Sequence, residues 1–249
     1  MKIASDKKIL LLQMRPEDVA ADSEFEAFLR VGGLQPYEVD RFRLEQGIPS
    51  IDLRRYSAII AGGSPFDVSL PEKDKSNTQK AIEVFYHGLF DQVVPSDFPF
   101  LGACSGNGLL GSYCGTPIST TYGEPIGSVD VTMTEEGMRD PLLKGLPRTF
   151  SALVGHKEAC DIVPKGAVLL GSSPTCPVQM FRVNKNIYAT QFHPEADADE
   201  FILRIHTYRN HGYFDPEEAE SLIAAVRRTH TPVPKILLQR FVARYKTSG

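Results

Sequence analysis

The sequence has no Cys-x-x-Cys pair. Its four cysteines, Cys104, Cys114, Cys160 and Cys176, share no zinc-like spacing with a histidine, so reduced thiols and no metal are expected. No apolar run reaches membrane length: the stretch from Met1 to Gln13 has lysines and then a short apolar segment that stops at a glutamine. That is too short for a signal core or a span, and the reading is a cytoplasmic chain that does not contact a membrane. A net charge of −4 with both signs dispersed provides no basic stripe, which argues against a nucleic-acid partner. There is no Gly-x-x-x-x-Gly-Lys phosphate loop, no internal repeat and no low-complexity segment, and no cofactor is expected. What remains is enough chain, 249 residues, to bury one large core.

Within that chain, Phe98 to Gly111 (FPFLGACSGNGLLG) reads as an apolar strand, a glycine-flanked turn with Cys104 at its tip, and a helix start. Gly102 and Gly106, two before and two after the cysteine, permit the sharp bend of a nucleophile elbow. A helix beginning after Cys104 would aim N–H groups and a partial positive charge at the sulfur, favouring thiolate. The competing reading is a buried cysteine on a packing turn. A second stretch, Tyr188 to Glu195 (YATQFHPE), is a β-prone run that ends in His193, with Glu195 two residues on across Pro194. Residues two apart in extended chain share a side, so Glu195 can hold one imidazole nitrogen while the other faces a thiol. Nucleophile, base and orienting carboxylate are the parts needed for covalent acyl transfer.

These two segments, Gly102-Ala103-Cys104-Ser105-Gly106 and Gln191-Phe192-His193-Pro194-Glu195, resemble the class I (triad) glutamine amidotransferases, especially the amidotransferase domain of GMP synthase and its free-standing relatives. Weaker matches stand at Ile59 to Pro65 and at Leu153 to Glu158, and the likeness covers residues 8–210. It implies a three-layer, flavodoxin-like α/β fold. By resemblance Gly62, Gly63, Ser105 and Gly106 belong to the oxyanion and substrate region, with the Gly63 and Ser105 amides as donors. Ser64 stands between the second glycine and Pro65, where the family has proline at once, so the inward-facing amide is open by one residue. His156, in Gly155-His156-Lys157-Glu158, is a substrate-binding candidate, or else part of a plain hairpin end.

The implied reaction is attack of Cys104 on the γ-carboxamide of glutamine, with His193 as base and acid, giving ammonia and a γ-glutamyl thioester that water converts to glutamate. The resemblance also implies a separate ammonia-accepting synthetase as partner, or else a free hydrolase. One position departs from the family: Gly108 stands where a substrate-binding glutamine is usual, with Asn107 before it. The substrate is then glutamine, a bulkier γ-glutamyl amide or a conjugate. A non-catalytic binding module that keeps the fold is the reading from a different class.

Taken in order, apolar runs at Lys8 to Met14, Gln35 to Phe42 and Tyr56 to Ala61, with a helix over Asp22 to Val31, predict a mostly parallel sheet with right-handed crossovers and helices on both faces. Phe66 to Lys75 reads as a solvated loop or a lid, and Ser76 to Phe90 as a helix. Short β-prone runs at Glu124 to Met133, Ser151 to Val154, Val168 to Ser172 and Val178 to Val183 predict a small antiparallel layer added to the sheet. Ala198 to Asn210 is helical. Cys114 is assigned to packing, and His206, His211 and His230 to structural or solvated positions. Residues 211–249 form a C-terminal helical extension, with a helix from Asp215 to Thr229, a break at Thr231 to Pro234 and a last helix over Lys235 to Tyr245. It packs on the domain or on another copy of the chain, and the latter would give a homodimer.

Overall fold

Apolar strands that alternate two ways must be covered on both faces, and in the computed structural model, which describes residues 7–210 and 213–246, they are. Ile9 and Leu11 of β1 (Lys8–Gln13) face one core; Leu10 and Leu12 face the other. The first core holds α1 (Asp18–Gly32), which ends where Gly33 adopts φ 64°. The second is closed by α2 (Asn77–Ser96) through Ile82, Tyr86, Leu89 and Phe90.

The remaining parallel strands are β2 (Val39–Arg43), β3 (Tyr56–Ala61), β4 (Phe100–Ala103) and β11 (Ile187–Thr190). They give the order β2-β1-β3-β4-β11. The β-prone middle of the chain supplies β6 (Glu124–Met133), α4 (Glu135–Arg139), β7 (Thr149–His156), β9 (Val168–Ser172) and β10 (Met180–Val183). These strands extend the same sheet antiparallel, as β11-β10-β9-β6-β7. The antiparallel part thus continues the main sheet edge to edge. A separate two-stranded ribbon pairs β5 (Ile118–Ser119) with β8 (Ala159–Cys160) beside α3 (Ser105–Tyr113).

The helices run differently from the sequence reading at three ends. Helix α1 begins at Asp18, a turn earlier than its apolar stripe. Helix α2 continues to Ser96 with Pro95 inside its last turn, and α5 (Ala198–Thr207) stops three residues early. In the tail, α6 (Ala219–Arg227) follows a 3₁₀ turn at Pro216–Glu218. The proline-rich break is the start of α7 (Pro232–Tyr245), because the first helical turn needs no N–H donors from Pro232 and Pro234. Helix α7 buries Leu237, Leu238, Phe241 and Val242 in the first core next to α1. His211 lies outside the described residues. Among the described residues no helix is long and apolar enough to cross a membrane.

Candidate active site

Strand β4 delivers Cys104 to the carboxyl edge of the sheet with φ 53° and ψ −100°, a conformation that a non-glycine residue adopts only where its surroundings enforce it. The enforcement is visible in the backbone. Cys104 N–H donates to the Thr190 carbonyl at 2.8 Å, while the Cys104 carbonyl accepts from Asn107 N–H at 2.9 Å. The flanking glycines close the bend: a Cβ on Gly102 would lie 2.8 Å from the Gly106 carbonyl, and one on Gly106 would touch Ala61 at 3.4 Å. Cys104 is buried, 7% exposed. Burial pushes its thiol up to about 11, against the pull of Arg15 and Arg204 and of the Ser105 backbone.

His193 follows β11, the ladder neighbour of β4, in which Ala103 pairs with Thr190. Its backbone N–H is fixed on the Leu153 carbonyl at 3.1 Å, and its Nδ1 meets Glu195 Oε1 at 2.8 Å. Burial, then the nearby Arg204 cation, brings the imidazole down to about 4, so it is neutral at neutral pH. Burial opposes charge on Glu195, but His193 and Arg204 outweigh it and hold the carboxyl low. Thiol and imidazole are therefore both neutral at neutral pH.

Two small voids meet at Cys104, which lines both together with Ser64, Gly155 and Tyr213. The first is lined by Ser105, Gly108, His156, Lys157, Glu158 and Gln191, and the second by His193, Arg15, Arg204 and Tyr208. The loop over the first is tied down, since Val68 N–H and Ser69 N–H donate to the two oxygens of Glu158 at 2.6 and 2.7 Å.

Three sequence candidates have their polar groups engaged elsewhere. Gly62 N–H donates to the Leu12 carbonyl at 3.0 Å, and Gly63 N–H to Glu24 Oε1 at 3.1 Å. The Ser64 amide has no hydrogen-bond partner among the described residues, and its carbonyl accepts from Ser105 Oγ at 3.2 Å. His156 lines the first void, but its Nε2 meets Glu124 Oε2 at 2.8 Å and its Nδ1 the Glu158 carbonyl at 3.0 Å. Gly106 lies inside α3, against β3.

Glu124, His156 and Cys176 form a buried group whose donor atoms lie within 4.8 Å of one another, a juxtaposition that the sequence spacing did not reveal. Glu124 also accepts from Thr175, from Gln179 at 2.6 Å and from Ser173 at 3.1 Å, so this group is satisfied internally.

Sequence reasoning missed the charges behind the imidazole. Arg15 Nε bonds Glu24 at 2.9 Å, and Arg204 Nη2 bonds both Glu195 and Glu200 at 2.8 Å, all buried. Two signals were available: Glu24 falls on the stripe of α1 that also carries Ala20, Ala27, Phe28 and Val31, and Glu200 and Arg204 stand four apart on α5.

Residues 22–205 match the family described as glutamine amidotransferase class-I. Among curated proteins, the chain is 31% identical over 107 residues to a glutamine-hydrolyzing GMP synthase subunit of Methanococcus maripaludis, covering 43% of this chain and 55% of that one. It is 30% identical over 149 residues to the namesake of that protein from Sulfurisphaera tokodaii, covering 59% and 72%. The chain thus spans about half the length of the first curated relatives it matches. A solved glutamine amidotransferase from Thermotoga maritima superposes with a TM-score of 0.76 at 20% identity, over 97% of this chain and 99% of that one. One from Methylobacillus flagellatus gives 0.70 at 17%, over 98% of each. At such identities the superpositions speak for the fold.

Proposed function

The chain belongs to the class I glutamine amidotransferase family, and from that premise we propose that it hydrolyses the γ-carboxamide of glutamine through a thioester on Cys104. The observation that carries this reading is the convergence of an elbow thiol and a carboxylate-held imidazole on one void, from adjacent strands of one ladder. As sulfur attacks the amide carbon, its proton passes to His193 and the carbonyl π electrons move to oxygen. That oxyanion is received by the Ser105 amide and the Ser64 amide, since the Gly63 N–H is engaged with Glu24. Collapse of the tetrahedral species breaks the carbon–nitrogen bond, and the imidazolium gives its proton to the departing ammonia. Water, deprotonated by the same imidazole, then cleaves the thioester to glutamate. The glutamyl moiety occupies the first void, where His156 acts by holding the Gly155–Glu158 segment rather than by offering a ring nitrogen.

Glutamate release from L-glutamine by the purified protein tests the reading, beside Cys104→Ala; release that persists in the variant refutes it. A second reading, hydrolysis of a larger γ-glutamyl amide, is favoured by Gly108: a Cβ there would have only Glu158 Oε1 at 3.7 Å and Val68 Cγ2 at 3.9 Å within 4 Å. Turnover of γ-glutamyl amides well above that of glutamine would decide for it. If the chain were a non-catalytic module, a glutamine-like electrophile would label Cys104 no faster than Cys114. In the glutaminase reading a separate synthetase consumes the ammonia, and adding such a partner raises glutamate release.

A further inference from the structure

We propose that Arg204 is a positioning residue for this reaction: it fixes the rotation and the charge of Glu195, and through Glu195 the tautomer of His193. The inference rests on the thiol–imidazole–carboxylate reading above. Its geometry is convergent. Arg204 Nη2 and His193 Nδ1 each lie 2.8 Å from the same oxygen, Glu195 Oε1, while Glu195 Oε2 has no hydrogen-bond partner among the described residues. Two donors on one oxygen leave the carboxylate a single orientation in which both bonds survive. Arg204 is itself anchored, with Nε on Glu200 Oε1 at 3.0 Å and its guanidinium carbon 5.1 Å from the centre of the Phe201 ring.

The consequence for the base follows from proton placement. A carboxylate at Nδ1 accepts that nitrogen's N–H, which leaves the lone pair of Nε2 free to take the thiol proton. A carboxylic acid in the same place donates to Nδ1 instead, moves the imidazole proton to Nε2 and removes the base. Glu195 is fully buried, where a lone carboxylate takes up a proton, so its ionisation depends on a neighbouring cation. The titratable and charged groups around the imidazole are Glu195, Arg204 of α5, Cys104 before α3, Arg15 after β1, and Tyr208 and Tyr213, with Glu24 and Glu200 behind the two arginines. Arg15 bonds Glu24 and Tyr208, which leaves Arg204 as the cation in contact with Glu195 among the described residues. A lysine at 204 would keep a charge but lose the planar fork that reaches Glu195 and Glu200 together.

A double-mutant cycle on the full chain tests this, with Arg204→Met, Arg204→Lys, Glu195→Gln and the double variant Glu195→Gln/Arg204→Met. Two readouts are needed: kcat and KM for glutamate release across pH, and the rate at which iodoacetamide alkylates Cys104, read by intact mass, which needs no glutamine turnover. Arg204→Met is expected to lower kcat by up to about 100-fold with little change in KM, the lower end of what a correctly placed general base contributes. It also moves the acid limb of the profile to higher pH, because a cation beside His193 has been removed. Arg204→Lys, the variant better able to fold, falls between. In the Glu195→Gln background, loss of Arg204 changes little further, and alkylation shows the same non-additivity. Fully additive losses in both assays would overturn the role of Arg204 and leave the glutamine reading standing. A wild type that releases no glutamate yet shows non-additive alkylation would overturn the glutamine reading and uphold Arg204.

Discussion

Replacing Gly102 by alanine should damage the site from beneath. The added Cβ would lie 2.8 Å from both the carbonyl carbon and oxygen of Gly106 and 2.9 Å from Phe100 Cε1. The first two are backbone atoms of the helix that starts at the thiol, so no rotamer change relieves them. Overpacking of this kind costs about 1–3 kcal/mol. For a chain of this length that lowers Tm by roughly 2–12 °C. Relief requires Gly106 to move away, and with it the turn in which Asn107 and Gly108 N–H hold the Cys104 carbonyl, so glutamate release should fall more than the unfolded fraction explains. Gly88→Ala is the matched control. A Cβ there meets nothing within 4 Å, the position is exposed on α2, and the exchange should stabilise by about 0.5–1 kcal/mol. Thermal melts and Cys104 alkylation on both variants settle the matter: a Gly102→Ala protein with wild-type Tm and reactivity would refute the steric account of the elbow.

Other expectations concern pH and the tail. His193 stays neutral in the folded chain down to about 4, whereas an unfolded histidine takes its proton near 6.5. The unfolded state therefore binds the extra proton in that interval, and stability is lost as pH falls from about 6.5 to about 4. Melting curves of His193→Asn should lack this part of the slope; parallel curves would exclude it. Ending the chain at Thr229 removes Val233, Leu237, Leu238, Phe241 and Val242 from the core, of order 10 kcal/mol at about 1.5–3 kcal/mol for each side chain. Since a whole domain is stable by only about 5–15 kcal/mol, the truncated protein should not fold. A soluble product with a cooperative melt would contradict that.

The parts of this molecule that were legible in its sequence are those dictated by local covalent geometry and apolar period. Strands start at Lys8, Tyr56, Glu124 and Val168, where the apolar runs of the sequence begin, because continuous or alternating β-branched and aliphatic runs have few other conformations open to them. The elbow and the His-Pro-Glu segment were legible for the same reason, since glycine spacing and a two-residue offset are short-range constraints. Gly63 was not, because the direction of one N–H depends on Glu24, thirty-nine residues earlier, entering the core. Arg204 and Glu24 were missed because a charged residue on an amphipathic helix ordinarily faces water, and only tertiary packing turns these inward. Thr231 to Pro234 reads in the sequence as a break because proline interrupts a helix interior, but here it occupies the first turn, where it is tolerated.

Strand β11 lies between β4 and β10, so it joins the parallel half of the sheet to the antiparallel half. That position makes it a keystone. Until residues 187–190 have inserted, the β6–β10 segment has no seam with the parallel strands, and the Thr190 carbonyl that holds the Cys104 N–H is missing. The strained backbone at Cys104 is thus secured by the same event that delivers His193. On the ribosome, Cys104 and His193 would come together only after some two hundred residues have been made.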